Sequence, residues 1–150
     1  MISPLSYKIV GTRVPNKLHH ENYVDAQFSA YYQTAVTWLD GSSSGWKIYD
    51  RLLASDVAEL SERVWVVADE AMSELQAKLE VVYEDGPRET GICDAPRGEA
   101  SNPLSAKHIE QKYLSLAVPV LGRKRAESVQ NVVDSIEDQT VVELMSLVAS

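Results

Sequence analysis

The run Asp94-Ala95-Pro96-Arg97-Gly98-Glu99-Ala100-Ser101-Asn102-Pro103-Leu104-Ser105 limits the possible folds more than any other stretch of the chain. Its prolines and glycine rule out a continuous helix or a paired central strand through it. Ser105 stands just before a long helical pattern and is placed to be its N-cap. Leu104 and Ile109 have the spacing of a hydrophobic staple around that cap, while His108 stands where a capping box would have Glu or Gln. Before this run the patterns are mixed α and β; after it they are purely helical. The boundary falls near residue 100, giving an α+β part over 1–100 and a helical segment over 101–150.

The helical segment divides into three. The first helix runs from Ser105 to about Leu116 or Val118, where Pro119 disturbs it. A second starts near Gly122, with Ala126, Val129, Val133 and Ile136 on one stripe. A third starts at Thr140, and Glu143 at its third position completes a Thr-x-x-Glu capping box. Leu144, Met145, Leu147 and Val148 form its apolar face. Three helices this short bury only part of their stripes against one another. They need a further surface, supplied by the first hundred residues, a second copy or another chain.

Residues 1–24 carry little helical signal, and Tyr7-Lys8-Ile9-Val10 suits a short strand. From Asp25 to Leu39 the apolar residues Phe28, Tyr32, Ala35 and Leu39 repeat on one helical face, with Asp25 as N-cap and Asp40-Gly41 as the stop. A Ser-Gly loop containing Ser42-Ser43-Ser44 follows. Trp46 to Leu53 and Val57 to Arg63 then read as two short helices split near Ser55-Asp56. Val64-Trp65-Val66-Val67 suits a strand. Leu79 to Tyr83 and Thr90 to Cys93 flank Glu84-Asp85-Gly86-Pro87, an antiparallel hairpin whose proline demands a loop longer than two residues. Ala71 to Gln76 is read as one or two helical turns. The expected fold is α+β: a lid-like unit of helices with a small, mostly antiparallel sheet, followed by a three-helix tail.

Charge and composition remove several function classes. Fourteen basic against twenty-two acidic residues give a net charge of −8, and the only basic cluster is Arg123-Lys124-Arg125. That is no footprint for nucleic acid. No apolar run approaches the roughly 18 residues of a membrane span, and the N-terminus lacks a signal-peptide pattern. One cysteine, Cys93, makes no internal disulfide, and a reducing cytoplasmic setting fits it. No Ser-His-Asp order, phosphate-binding loop or Cys-x-x-Cys is present, and no cofactor is expected.

Several motifs in register carry a resemblance. Asp94-Ala95-Pro96-Arg97-Gly98, Asn102-Pro103-Leu104-Ser105, Lys112-Tyr113 and Leu121-Gly122-Arg123 resemble the C-terminal region of the MmgE/PrpD family. Asp25-Ala26-Gln27-Phe28-Ser29-Ala30-Tyr31-Tyr32 resembles that family's D-A-Q-F-S-L-P-Y, Asp40-Gly41 its helix stop, and Asp50-Arg51-Leu52 a position before its next short helix. The chain departs from the pattern at Tyr31, which replaces a proline and implies a more continuous helix, and at His108, which replaces a glutamate. Members are several times longer, with a helical body and an α+β lid. The resemblance therefore implies the last portion of such an enzyme, beginning inside the lid.

The family includes 2-methylcitrate dehydratases, cis-aconitate decarboxylases and iminodisuccinate epimerases. Their shared chemistry is proton transfer at carbon next to a carboxylate in small polycarboxylic acids, without a required metal. Most of the groups responsible lie upstream of the region matched here. The resemblance implies a lyase or isomerase portion inactive by itself, joined to a second copy or to a separately encoded helical body. The alternative is a non-catalytic interaction subunit docking on such a body.

One catalytic residue follows from the resemblance. Tyr32 matches the tyrosine that ends the F-S-x-x-Y motif, and a phenol can donate a hydrogen bond to a carboxylate or a proton to carbon. From periodicity alone it is a core tyrosine. His19 and His20 are adjacent, point apart in regular structure and make a poor metal pair. His108 reads as a surface helix residue and Cys93 as buried and inert. Arg97 reads as part of a linker turn, and Trp38, Trp46 and Trp65 as core or packing residues.

Overall fold

The computed structural model describes residues 1–41 and 45–149; the expected Ser42-Ser43-Ser44 loop lies outside them. The fold is α+β and separates into two compact units, Met1–Pro103 and Leu104–Ser150.

The first unit opens helically, not as a strand. Ser3 caps the short helix α1 (Pro4–Ser6), which runs into a wide π-type turn over Tyr7–Gly11. The strand expected over Tyr7-Lys8-Ile9-Val10 does not form. The reason is Gly11, which is buried; a Cβ there would sit 2.7 Å from Val66 Cγ1 and 2.8 Å from Tyr7 Cδ2. Only a glycine permits so close an approach, and the coiled segment is what brings Tyr7 back onto it. The strand-like pairing belongs instead to Ile2, which bridges both Ala68 and Ala77.

Helices α2 (Pro15–Leu18), α3 (Tyr23–Gln27) and α4 (Ala30–Asp40) follow. The single helix expected from Asp25 to Leu39 is broken at Phe28-Ser29. Asn22, not Asp25, caps α3, its side chain accepting from the amides of Val24 and Asp25. Ser29 is extended and caps α4, its hydroxyl accepting from the Tyr32 amide. The Ser29 cap within the apolar stripe outcompetes its continuity, because it serves a backbone donor that a helix start leaves unpaired. The break also turns the buried face. Tyr31, Tyr32, Ala35 and Val36 are buried, whereas Phe28 and Leu39 are exposed. Gly41, at φ 84°, ends the helix as expected.

A 3₁₀ turn (Gly45–Arg51) and α5 (Ser55–Arg63) close over α4. Ala26, Tyr32, Ala35, Val36 and Val57 form the core, with Ile48, Tyr49, Leu52, Ala54 and Leu60 packed on it. Arg13 ties the end of α5 in place by donating to the carbonyls of Glu62 and Val64. Val64-Trp65-Val66-Val67 forms no strand; the Val67 carbonyl accepts from the Ile2 amide, and the neighbouring Ala68 bridges Ile2. Ala71 to Gln76 forms turns, not helix. The hairpin is present. Strands β1 (Ala77–Val82) and β2 (Arg88–Cys93) pair antiparallel, Ala77 opposite Cys93 and Val82 opposite Arg88, around the loop Tyr83–Pro87. Gly86 takes the positive φ of 102° that this loop requires.

The second unit holds α6 (Ala106–Leu121), α7 (Arg123–Asp134), a 3₁₀ turn (Ile136–Asp138) and α8 (Val141–Val148). Ser105 caps α6 and Thr140–Glu143 forms the full capping box of α8. Helix α6 passes through Pro119 rather than ending before it. The proline removes one bond, to the Ser115 carbonyl, at a position where both residues are exposed to solvent; the last turn survives and stops at Gly122 (φ 75°). Arg125 holds the far end of α8 by donating to the carbonyls of Leu147 and Ala149. Among the described residues of this unit, only Ala126 and Val129 are buried.

Candidate functional site

Tyr32 sits on the first turn of α4, its backbone fixed by the Ser29 cap and its side chain 1% exposed. The phenol donates to the Ile48 carbonyl in the 3₁₀ turn. Burial, with Tyr49 beside it, pushes its pKa up to about 12. The group is therefore neutral at physiological pH, a hydrogen-bond donor and a poor acid. In this conformation the hydroxyl serves the core.

Two other residues frame it. His20 packs edge-on against the Tyr32 ring, with centroids 4.8 Å apart at 65°. Its Nε2 is buried without a hydrogen-bond partner. Burial lowers the imidazole's pKa, against opposing effects from the Lys17 backbone and Asp25. On the other side Arg51 bridges the two helices of the core. Its Nε lies 3.1 Å from Asp40 on α4 and its NH2 2.6 Å from Asp56 on α5. The bond from Arg51 holds the Asp56 carboxyl below the usual carboxylate range.

Arg13, Lys17 and Arg51, three cations packed around α4, are committed to partners within this unit. Arg13 pairs with Glu62 at 2.7 Å and lies over the rings of Tyr31 and Trp65. Lys17 is buried, its ammonium donating to the carbonyls of Ile9 and Phe28. Nothing in the sequence pattern marked Lys17 as an interior residue. Its carbonyl partners belong to other elements, eight and eleven residues away, so no local spacing signals them.

The remaining candidates do not converge on Tyr32. His19 is exposed, 3.7 Å from Glu62. His108 is exposed on the first turn of α6 and gives its backbone N–H to Ser105. Cys93 is exposed at the end of β2 rather than buried, because a two-stranded hairpin leaves that strand uncovered. Arg97 is exposed in its turn. The tryptophans are not core residues: Trp38, Trp46 and Trp65 are 51%, 58% and 74% exposed. Trp65 packs under Arg13, and Trp46 against Tyr23 and Tyr49. Among the described residues no three His, Cys, Asp or Glu side chains gather as a metal site would need. No helix among them is long and apolar enough to cross a membrane. In the second unit a groove of about 810 Å³ between α6 and α7 has Ile109, Tyr113 and Val133 along it, with Lys107, Glu110 and Asp134 at its rim.

These features define an α+β domain with a helical C-terminal unit and an internally satisfied tyrosine. The family model for the MmgE/PrpD C-terminal domain matches residues 2–138, and the chain belongs to that family. The match includes the capped α4 segment, the hairpin, α6 and α7; α8 lies beyond it. No curated protein matches the chain.

Proposed function

We propose that this chain works as the C-terminal portion of an MmgE/PrpD-type lyase or isomerase acting on small polycarboxylic acids, in the manner of a 2-methylcitrate dehydratase. Such chemistry moves a proton at carbon beside a carboxylate, and cationic groups must hold the carboxylates while it moves. Arg13, Lys17 and Arg51 are each committed to internal partners, so those groups come from a helical body, of a second copy or of a separate subunit. Tyr32 would then act as a hydrogen-bond donor to substrate, exchanging the Ile48 carbonyl for a carboxylate.

One observation carries the reading: helices α6 and α8 bury no residue at all. Ile109, Val133, Val141, Val142 and Met145 are all at least half exposed. The accessible surface is 10554 Å². Two compact units of these sizes sharing no surface at all would expose only ~9,000 Å². Part of the excess lies in the first unit, at Leu53, Trp65 and Ile92; the unburied α6 and α8 support a tail that seats on a partner.

The test is recovery of the chain with its partners from the source cell, followed by assay of the complex and of the isolated chain on 2-methylcitrate, citrate and cis-aconitate. The complex is expected to turn over one of them and the isolated chain none; turnover of 2-methylcitrate would place it in propionate metabolism. Activity of the isolated chain, or an inert complex, would overturn the proposal. The same exposed tail favours one second reading, a non-catalytic docking subunit. An active complex whose turnover is unchanged by Tyr32→Phe would establish it.

A further inference from the structure

His20 carries a second, independent inference. It follows α2 and turns back over the first turn of α4, where its ring covers Tyr32. The Lys17 backbone beside the ring favours its charged form. The Ser29 hydroxyl donates to the Lys17 carbonyl at 2.5 Å, joining the end of α2 to the cap of α4 under the imidazole. The Nε2 of His20 is buried without a hydrogen-bond partner, and a lone pair without a donor there is tolerated far better than a charged N–H without an acceptor.

We propose that His20 is a proton-operated latch: neutral, it clips residues 18–22 over Tyr32; protonated at Nε2, it releases them and uncovers the tyrosine.

In the closed form Nε2 has no hydrogen-bond partner, so a new proton there would be left without an acceptor. The Lys17 ammonium faces the carbonyls of Ile9 and Phe28. Asp25 on α3 favours the charged ring from a distance without a hydrogen bond to it, and its oxygens accept from Asn16 and Asn22. His19 disfavours the charge. Tyr32 on α4 gives its hydroxyl to Ile48, and Glu62 on α5 is held by Arg13 and faces His19. Glu21, next along the chain, is exposed.

The direction follows from linkage. An unfolded imidazole titrates near pH 6.5, and the folded one lies below that. The latch is therefore fully closed above the unfolded value and loses stability as pH falls through it towards the folded value. Each unit of depression corresponds to a tenfold gain in opening.

The experiment is amide hydrogen exchange over residues 17–32 of the full chain between about pH 7.5 and 5, corrected for intrinsic rates, beside an NMR titration of the His20 ring. Exchange is expected to quicken on acidification by the factor that the measured depression dictates, and to stay flat in His20→Phe, which keeps the ring contact without the proton. An imidazole titrating at its ordinary value, or an equal acid response in His20→Phe, would overturn the latch. Should the variant fail to fold, the match between the two wild-type measurements decides alone.

Discussion

The Tyr31 hydroxyl donates to the Gly11 carbonyl at 2.6 Å, and both residues are buried. This bond joins the start of α4 to the end of the π-type turn. Tyr31→Phe leaves the carbonyl without a partner and should cost about 1–3 kcal/mol in urea denaturation. Gly11→Ala should cost a similar ~1–3 kcal/mol, because the added carbon meets the stiff Val66 side chain and the Tyr7 ring. If both changes prove neutral, the α4 contact with the N-terminal turn is not as described.

Raising the pH should loosen the first unit through Tyr32. Its folded pKa of about 12 lies above the unfolded value near 10. The stabilisation is complete below about pH 10 and is lost as pH rises from there towards the folded value. Tyrosinate absorbance recorded with circular dichroism should show this phenol ionising as α4 unfolds. Tyr32→Phe should remove that part of the alkaline response.

Thr140→Ala removes the hydroxyl half of the α8 capping box, since the Thr140 hydroxyl donates to Glu143 and accepts from the Glu143 amide, while the backbone amide at 140 still donates to the Glu143 carboxylate. The helix should lose about 1 kcal/mol. The carbon chemical shifts of residues 141–148 provide the readout. Those bonds, the backbone amide's first, also hold the Glu143 carboxyl below its ordinary value, so acid should weaken α8 as the pH falls through the folded value, and less in Thr140→Ala, which keeps the amide but loses the hydroxyl.

The exposed faces of the tail should drive association. At high micromolar concentration the chain should sediment above monomer mass and bind an apolar-sensitive dye. Val142→Glu with Met145→Lys, both at exposed positions of α8, should reduce both signals while helicity is retained. A strictly monomeric, dye-silent parent protein would count against the docking role of the tail.

What was legible in the sequence was local. Ser105, Gly41, Gly122 and the Thr140–Glu143 box act within one turn of chain, and each ends or starts a helix where it stands. The hairpin was legible because Asp85-Gly86-Pro87 permits little else. The failures are contacts at long range. Nothing near Tyr7 announces that Gly11 will meet Val66, and that contact turns an expected strand into a coil. The Phe28 stripe looked continuous because periodicity does not weigh a serine cap against an apolar face. At the candidate site, Tyr32 was identifiable by motif, but its bond to Ile48 and the His20 ring above it arise from a chain reversal that no spacing encodes.

The buried Lys17 has a consequence for chemical modification. Its ammonium is spent on two carbonyls inside the folded chain, out of reach of an acylating enzyme. An acetyl group can reach that nitrogen only while the polypeptide is still being made or has come apart. Once attached, it would strand both oxygens and bar the way back, so acetylation at this lysine would record that a molecule had failed to close in time.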